Sequence, residues 1–286
     1  MKCSFYKKYN EEKYTQNYWG IDRSKYKWFS KYVKFKILDR WIDSLKNKDS
    51  SLLDAGGGVG NYAFLFKNKF KHVAVLDISK KALDSIPEED IIKIHDSVIN
   101  PKIKKYSFDC ILLIDVFEHI DSKDLEKMMQ NLGKLLKKDG KILIFTSQFG
   151  YGTGLIWKRI IGDKNRLKKG EEREGHLNRL TFEEMKFLFK KTGFVIEDFY
   201  HYSIIFQQIT DFIKDSFAKI SLIFRTQNPI DKIRLGQSVK EHIRQKEENF
   251  FIKLPLKILS YISYFDIILF GKLLPGESIF LKIRKR

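Results

Sequence analysis

Cysteine and proline are both scarce in this chain. Its 286 residues include two cysteines, Cys3 and Cys110, and five prolines. Two cysteines are too few for a disulfide framework, and no spacing of His, Cys, Asp or Glu matches a metal-binding pattern. We therefore expect a reduced, cytoplasmic setting, with neither a disulfide scaffold nor a metal site.

Long hydrophobic runs are also missing. No segment reaches the roughly 18 uninterrupted apolar residues that a membrane-spanning helix needs. Residues 1–13 are polar and charged and lack the apolar core of a signal peptide. At 43% hydrophobic residues the chain can still bury a sizeable core, and its length suits one large domain with additions.

Acidic residues are too few to balance the basic ones, and the excess is unevenly distributed. The net charge is +18, but residues 51–145 carry 15 basic and 14 acidic residues and are nearly neutral. The flanks therefore hold the surplus, at +7 before and +10 after this segment. Such flanks favour an anionic partner, namely lipid headgroups, nucleic acid or a phosphorylated substrate. A lysine-rich composition with solvated faces is the simpler alternative.

Short apolar strands alternate with helices after residue 50. Strands are predicted at 51–54, 72–77, 91–95, 108–114, 141–146, 193–200 and 278–283, and helices at 61–68, 80–86, 124–137 and 181–192. Thr181 and Glu184 form a capping-box pattern, and Ser79 is a candidate N-cap. The alternation predicts an α/β protein with a Rossmann-like, seven-stranded, mostly parallel sheet and helices on both faces.

Three regions follow from this pattern. Residues 1–50 are predicted to be an N-terminal helical cap with an amphipathic helix over 26–47, whereas 51–202 and 276–286 form the sheet domain. Residues 203–275 are a helical insertion before the last strand, with amphipathic helices over 204–224 and 254–274. Basic residues flank these aromatic-rich helices, which favours either a lid or a surface that lies on a membrane.

A glycine-rich turn follows the first strand and carries the strongest functional signal. Glycines alternate at Gly56, Gly58 and Gly60 directly after Asp54. Glycine adopts positive φ and lets a ligand lie against the backbone. Open α/β sheets bind ligands at the carboxyl ends of their strands, where Asp54, Asp77, Asp96 and Asp115 are all predicted to lie. Asp77 is placed to accept hydrogen bonds from ribose hydroxyls.

These residues resemble the cofactor site of the class I S-adenosylmethionine-dependent methyltransferases. The segment from Asp54 to Gly60 is similar to the family's first motif, and Asp77 and Asp96 match its ribose and adenine positions. The resemblance implies that the glycine turn lies under the methionine and ribose of the cofactor and that Asp54 helps to hold its amino group. The cofactor-binding residues that it implies are Asp54, Gly56, Gly57, Gly58, Gly60, Asp77, Ile78, Asp96, Ser97, Asp115 and Val116.

Two further segments resemble a subgroup of this family. The run from Asp115 to Ile120 (DVFEHI), and the run from His176 to Thr181 (HLNRLT) before a helix, are similar to quinone-biosynthesis and other small-molecule methyltransferases. The resemblance covers about residues 50–200 and the final strand. It implies a methyl transfer to a small or lipid-like acceptor. The 75 residues before the last strand depart from the family's minimal pattern.

A dinucleotide-binding oxidoreductase is the main alternative. Gly58, Gly60 and Ala63 also fit the fingerprint G-x-G-x-x-G/A, with Asp77 in the ribose role. The carboxylate of Asp54, next to which a pyrophosphate would be unfavourable, argues against NAD(P). A nucleic-acid methyltransferase is a second alternative, although the sequence contains no recognised nucleic-acid-binding motif.

The predicted reaction is a methyl transfer to oxygen or carbon. S-adenosylmethionine is already an activated electrophile, so the protein mainly has to align the reactants. A base is needed where the acceptor must lose a proton, and His119 and His176 are the candidates because histidine titrates near neutral pH. We expect a cytoplasmic enzyme, with an anionic membrane surface as a possible partner.

Overall fold

Seven strands form one sheet in the computed structural model, which describes residues 30–45, 49–104, 107–148, 176–178, 180–202, 204 and 250–286. The predicted helix over 204–224, most of 147–178 and Cys3 lie outside these residues. The strands are β1 (Ser51–Ala55), β2 (His72–Asp77), β3 (Ile91–His95), β4 (Phe108–Ile114), β5 (Leu136–Ser147), β6 (Phe194–Tyr202) and β7 (Ser278–Lys285).

The strand order is β3-β2-β1-β4-β5-β7-β6. The first five strands in this order pair in parallel, whereas β7 runs antiparallel to both of its neighbours, β5 and β6. This confirms the predicted α/β, Rossmann-like, seven-stranded and mostly parallel sheet. The order reverses between β1 and β4, so the crevice at their carboxyl ends is the expected ligand site of such a sheet.

Buried side chains cover both faces of the sheet. Successive residues of a strand point to opposite faces, so Leu52 and Leu53 of β1 belong to two different hydrophobic clusters. The central strand β4 is apolar almost throughout, as expected for a strand that is covered on both faces. The sheet is therefore a rigid platform for the loops at its edge.

Six α-helices lie among the described residues. They are α1 (Ser30–Asp43), α2 (Asn61–Phe66), α3 (Lys80–Asp84), α4 (Ser122–Leu135), α5 (Phe182–Lys191) and α6 (Phe250–Phe270). Helices α4 and α5 pack on one face of the sheet, and α1, α2, α3 and α6 pack on the other. The caps predicted from sequence are confirmed: Ser79 Oγ accepts from Ala82 N, and Thr181 and Glu184 form a capping box.

The prediction was wrong about the junction of α4 and β5. We expected a helix to residue 137 and a turn at Asp139-Gly140, but α4 ends at Leu135 and β5 begins at Leu136. The β4–β5 pairing is irregular here, since Leu136 pairs with Phe108 and the next pair is Lys141 with Cys110. The Asp139-Gly140 turn signal therefore marks a bulge inside a strand.

Helix α6 begins and ends four residues earlier than predicted. It is followed by Gly271, where an added Cβ would lie 2.3 Å from the carbonyl oxygen of Ile267. Ile267 is buried, whereas Phe265 and Leu269 are 59% and 62% exposed. None of the described helices, α6 included, is long and apolar enough to cross a membrane.

Candidate functional site

The glycine turn joins β1 to α2 in a left-handed backbone conformation. Gly56, Gly58 and Gly60 have φ values of 74°, 55° and 72°, a region that side-chain-bearing residues rarely occupy. Gly60 is also the N-cap residue of α2. The three alternate glycines of the sequence are therefore the three positions at which the backbone requires glycine.

Two glycines of the turn are also needed because neighbouring side chains lie close to the backbone. A Cβ added at Gly57 would lie 2.5 Å from the carboxyl carbon of Asp54, and one at Gly56 would lie 2.6 Å from Cγ2 of Val116. Both distances are far below normal contact. The turn is therefore packed on Asp54 from β1 and on Val116 from the end of β4, which lie in adjacent strands.

Asp54 is almost completely buried beneath the turn. Its Oδ2 accepts a hydrogen bond of 3.1 Å from the backbone N–H of Ala63, in the first turn of α2. Burial raises the pKa of Asp54 to about 7, the Ala63 N–H lowers it, and the nearby charge of Asp77 raises it further. Asp54 therefore occupies a position where, even at neutral pH, ionisation is unfavourable unless a positive charge is nearby.

Asp77 holds the turn from the next strand. Its Oδ2 accepts from Gly58 N and its Oδ1 from Ser79 N, both at 2.8 Å. Burial raises the pKa of Asp77, and these backbone donors oppose the shift. Beside it, the carbonyl oxygen of Ile78 lies 3.0 Å from His95 Nε2. Asp77 therefore links the ends of β1 and β2 through the glycine turn.

Asp96 and Ser97 form a turn after β3. The carboxylate of Asp96 accepts from Ser97 N at 2.7 Å and from Lys102 N at 2.8 Å. The backbone N–H of Asp96 donates to the carbonyl of Asp77. Asp96 and Ser97 thus lie next to the end of β2 at the same edge of the sheet.

Asp115 follows β4 with an unusual backbone. It has a φ of 56°, the only positive value for a non-glycine among the described residues. Its carboxylate binds Lys34 Nζ at 2.8 and 2.9 Å. Lys34 belongs to α1, and its ammonium group lies 3.8 Å from the centre of the Phe145 ring. Helix α1 is therefore attached to the edge of the sheet next to the glycine turn.

His119 and His176, both candidate bases, lie next to each other. Their ring centres are 5.1 Å apart, although 57 positions separate them in the chain. Close to both rings lies the carboxylate of Glu118, which is buried and accepts from Thr146 Oγ1 at 2.8 Å. Burial, assisted by the charge of Asp115, raises the pKa of Glu118 to about 7.

The structure thus gathers the predicted residues into two adjoining groups. One is the glycine turn with Asp54, Asp77 and Val116, and the other contains His119 and His176. Sequence reasoning missed Lys34 and gave Glu118 no role of its own. A carboxylate next to a histidine shortly after a buried strand was a usable signal for Glu118, whereas Lys34 is one of many lysines.

Comparisons with known proteins bear on this arrangement. The model of a family described as a methyltransferase domain matches residues 26–198, which is more than half of the chain. Phosphoethanolamine N-methyltransferase 2 of Caenorhabditis elegans is 31% identical over 125 residues. Those residues are 41% of this chain and 28% of that protein, so the match spans less than a third of the relative's length.

Solved structures share the fold. Phosphoethanolamine N-methyltransferase 2 of Haemonchus contortus, in complex with S-adenosyl-L-methionine, superposes with a TM-score of 0.55 at 19% identity, over 88% of this chain and 51% of that one. Geranyl diphosphate C-methyltransferase of Streptomyces coelicolor, in complex with Mg²⁺, geranyl-S-thiolodiphosphate and S-adenosyl-L-homocysteine, gives 0.50 at 10% identity, over 88% and 77%.

The family match decides between the two cofactor classes that the glycine pattern left open. It covers the glycine turn, the acidic strand ends and the segment from Asp115 to Ile120, and it sets aside the NAD(P)-dependent oxidoreductase. The chain belongs to the methyltransferase-domain family.

Proposed function

We propose that the glycine turn, Asp54 and Asp77 bind S-adenosylmethionine. The observation that carries this proposal is the close packing of Gly56 and Gly57 on Val116 and Asp54, which brings the backbone of the turn directly against the ends of β1 and β4. The carboxylate of Asp77 accepts from the backbone N–H groups of Gly58, Ser79 and Ile78, which leaves one of its roughly four lone-pair sites for a ribose hydroxyl. The buried carboxylate of Asp54 is a suitable partner for a cationic ligand.

The remaining predicted residues surround this core. Ile78, Asp96 and Ser97 are proposed to lie beside the adenine, and Asp115 and Val116 beside the methionine end. One further observation supports a ligand at the turn. Among the described residues, the side-chain oxygen of Asn61, directly after the turn, is a buried acceptor with no hydrogen-bond partner within the chain. A bound donor would satisfy it.

Asp77→Ala tests the cofactor site. The substitution removes the acceptors of three backbone N–H groups and of the proposed ribose hydroxyl, so we expect the affinity for S-adenosylmethionine to fall about 100-fold, which corresponds to about 2.7 kcal/mol. Isothermal titration calorimetry measures this. Asp90→Ala, in an exposed ion pair with Lys67, is the matched control and should bind normally. Normal binding by Asp77→Ala would exclude Asp77 from the site.

His119 and His176 are the proposed catalytic residues. When bound, the cofactor supplies an electrophilic methyl group, so this chain has to place the acceptor and handle its proton. Both histidines are partly exposed and lie beside the glycine-turn group, because His119 follows Val116 by three residues. We propose that one of them accepts the proton of an acceptor hydroxyl.

The proposed acceptor is a small or lipid-like molecule that is methylated on oxygen or carbon. Exposed apolar side chains on and after α6 support an apolar acceptor or surface. Incubating the protein with tritiated S-adenosylmethionine and a cell extract, then separating lipid, small-molecule, protein and nucleic-acid fractions, tests the proposal. Label in the lipid or small-molecule fraction is expected. Label confined to nucleic acid would instead support the nucleic-acid methyltransferase that the sequence left open.

Nitrogen is a second candidate for the methylated atom. The C. elegans relative, 31% identical over 125 residues, is a phosphoethanolamine N-methyltransferase, and the basic flanks of this chain suit a phosphorylated acceptor. Direct assay with phosphoethanolamine separates the two candidates. Methylated phosphoethanolamine would support nitrogen.

An anionic membrane surface is the proposed partner of the insertion. A row of apolar side chains on α6 and just after it is exposed at a spacing of three or four residues: Ile258, Tyr261, Ile262, Phe265, Leu269 and Leu273. Residues 146–286 carry a net charge of +10. An apolar helical face combined with basic surroundings is typical of segments that lie on membranes. We accordingly propose a cytoplasmic protein that associates peripherally with membranes.

Co-sedimentation with lipid vesicles tests this partner. We expect the protein to sediment with phosphatidylserine-containing vesicles more than with phosphatidylcholine vesicles, and less at high salt. Replacing exposed Phe265 and Leu269 by serine should reduce sedimentation several-fold. Exposed Phe187, on α5, provides the control, and Phe187→Ser should sediment like the wild type. Equal sedimentation with both vesicle types would count against the membrane role.

A further inference from the structure

One carboxylate and two imidazoles meet beside the glycine turn. Glu118, His119 and His176 each present one donor atom, and these atoms all lie within 4.8 Å of one another. Glu118 is buried, whereas the two histidines are partly exposed. No spacing in the sequence predicted this group, because His176 comes from a distant segment. Two imidazole nitrogens and a carboxylate oxygen are a ligand set for zinc-class metal ions.

The segment that carries His176 is held firmly against the turn after β4. The backbone N–H groups of Leu177 and Asn178 donate to the carbonyl of Glu118 at 2.9 and 3.2 Å. The side-chain amide of Asn178 donates to the carbonyls of Phe117, at 3.1 Å, and Ile120. Four hydrogen bonds thus fix the approach of His176 to Glu118 and His119. Such preorganisation is what a metal site requires of its supporting residues.

The carboxylate of Glu118 is oriented as well. Thr146 Oγ1, from β5, donates to Glu118 Oε2 at 2.8 Å, and ligating carboxylates in proteins are commonly hydrogen-bonded in this way. Glu118 is also almost completely buried, and a cation beside it would offset the cost of burying its charge.

The spacing of the donors fits a small ion after modest rotation. A tetrahedral zinc ion with ligands at about 2.1 Å needs donor atoms about 3.4 Å apart. Closing from 4.8 Å requires small rotations of the three side chains. Three protein ligands leave a fourth position open, as in catalytic rather than structural zinc sites.

We infer that Glu118, His119 and His176 bind a divalent transition-metal ion, of the zinc class, whose open position faces the acceptor. The part of this inference that concerns the acceptor rests on the proposed function. With the ion bound, the two histidines would act as its ligands in place of the base proposed above, and the ion would lower the pKa of a bound acceptor hydroxyl. The hydroxyl proton would pass to solvent, and the acceptor oxygen would form a bond to the methyl carbon as the bond from that carbon to sulfur breaks and S-adenosylhomocysteine leaves.

Titration of the metal-free protein with Co²⁺ tests the site. At about pH 7.5 we expect one Co²⁺ to bind per chain, measured by visible absorption and calorimetry, and Zn²⁺ to compete with it. His119→Ala and His176→Ala should each weaken binding at least 10-fold, and Glu118→Gln should do the same while keeping an acceptor for Thr146. His72→Ala, on an exposed histidine at the start of β2, should bind like the wild type.

Two results would overturn the inference. One is the absence of stoichiometric binding by the wild type, and the other is binding that is equal in His176→Ala and the wild type. Binding of S-adenosylmethionine by the same samples keeps the proposed function separate. A protein that binds the cofactor and methylates an acceptor in the presence of a chelator has a base, not a metal, at these histidines. A protein that binds Co²⁺ but not the cofactor contradicts the proposed cofactor site alone.

Discussion

Gly57→Ala is expected to reduce the affinity for S-adenosylmethionine about 100-fold and to lower the melting temperature. The new Cβ would lie 2.5 Å from the carboxyl carbon of Asp54. Asp54 has no space to retreat, since it is buried and its Oδ2 is bound to Ala63 N. The turn must therefore move away from β1 and lose the shape that we propose for the cofactor site. Calorimetry and thermal unfolding measure the two effects.

Gly193→Ala is the matched control. Gly193 has a φ of 82°, but an added Cβ there has no atom within 4 Å. The free energy of unfolding of this variant should fall only by the strain of an alanine in the left-handed conformation, about 1 kcal/mol. The variant should bind the cofactor normally. Equal cofactor affinities for Gly57→Ala and the wild type would show that the contact between Gly57 and Asp54 has no part in binding.

Asp54→Asn is expected to stabilise the ligand-free protein above pH 7 while weakening cofactor binding. Burial raises the pKa of Asp54 from its ordinary value of 3.8 to about 7. The unfolded chain therefore releases this proton first, and the native state loses stability as the pH rises from about 4 to about 7. At 1.36 kcal/mol per pKa unit the loss is of the order of 4 kcal/mol, which corresponds to several degrees in melting temperature.

An asparagine cannot ionise, so the variant avoids this loss. We expect wild type and Asp54→Asn to be similarly stable near pH 4 and to diverge up to about pH 7, as measured by denaturant unfolding across that range. Asp77, whose pKa is also raised, is present in both proteins, so the free energy of unfolding of both should still fall somewhat as the pH rises. Exposed Asp49, whose pKa is lowered by Lys71, supplies the control, because Asp49→Asn should bring no such gain. A parallel decline in wild type and Asp54→Asn would refute the assignment.

The fold could be predicted from sequence wherever a local pattern carries the information. The apolar run of β4 and the capping box at Thr181 each depend on neighbouring residues alone, and both predictions were confirmed. The junction at Leu136 could not be predicted in this way. Its bulge depends on pairing with Phe108 in another strand, and Asp139-Gly140 serves a turn and a bulge equally well.

The same distinction applies to the candidate site: its contiguous motif could be predicted, whereas its contacts between distant segments could not. The glycine turn is a contiguous pattern, so its positive φ values at Gly56, Gly58 and Gly60 followed from the sequence. The meeting of His119 with His176 did not, because hydrogen bonds from Asn178 and its neighbour to the turn after β4 bring the two segments together. The ion pair between Lys34 and Asp115 could not be predicted from the sequence, because it depends on how α1 packs on the sheet.

The position of β7 has a consequence for how the chain acquires its structure during synthesis. Strand β6 pairs with β7, and β7 alone joins it to β5. A nascent chain that has reached Tyr202 already contains six strands, yet β6 must wait for about 75 further residues before its sheet partner emerges. Until then the antiparallel edge of β5 stays open, and such unpaired edges are where partly made proteins associate wrongly. The order of synthesis thus makes the last strand, and not the cofactor turn, the step that completes the sheet.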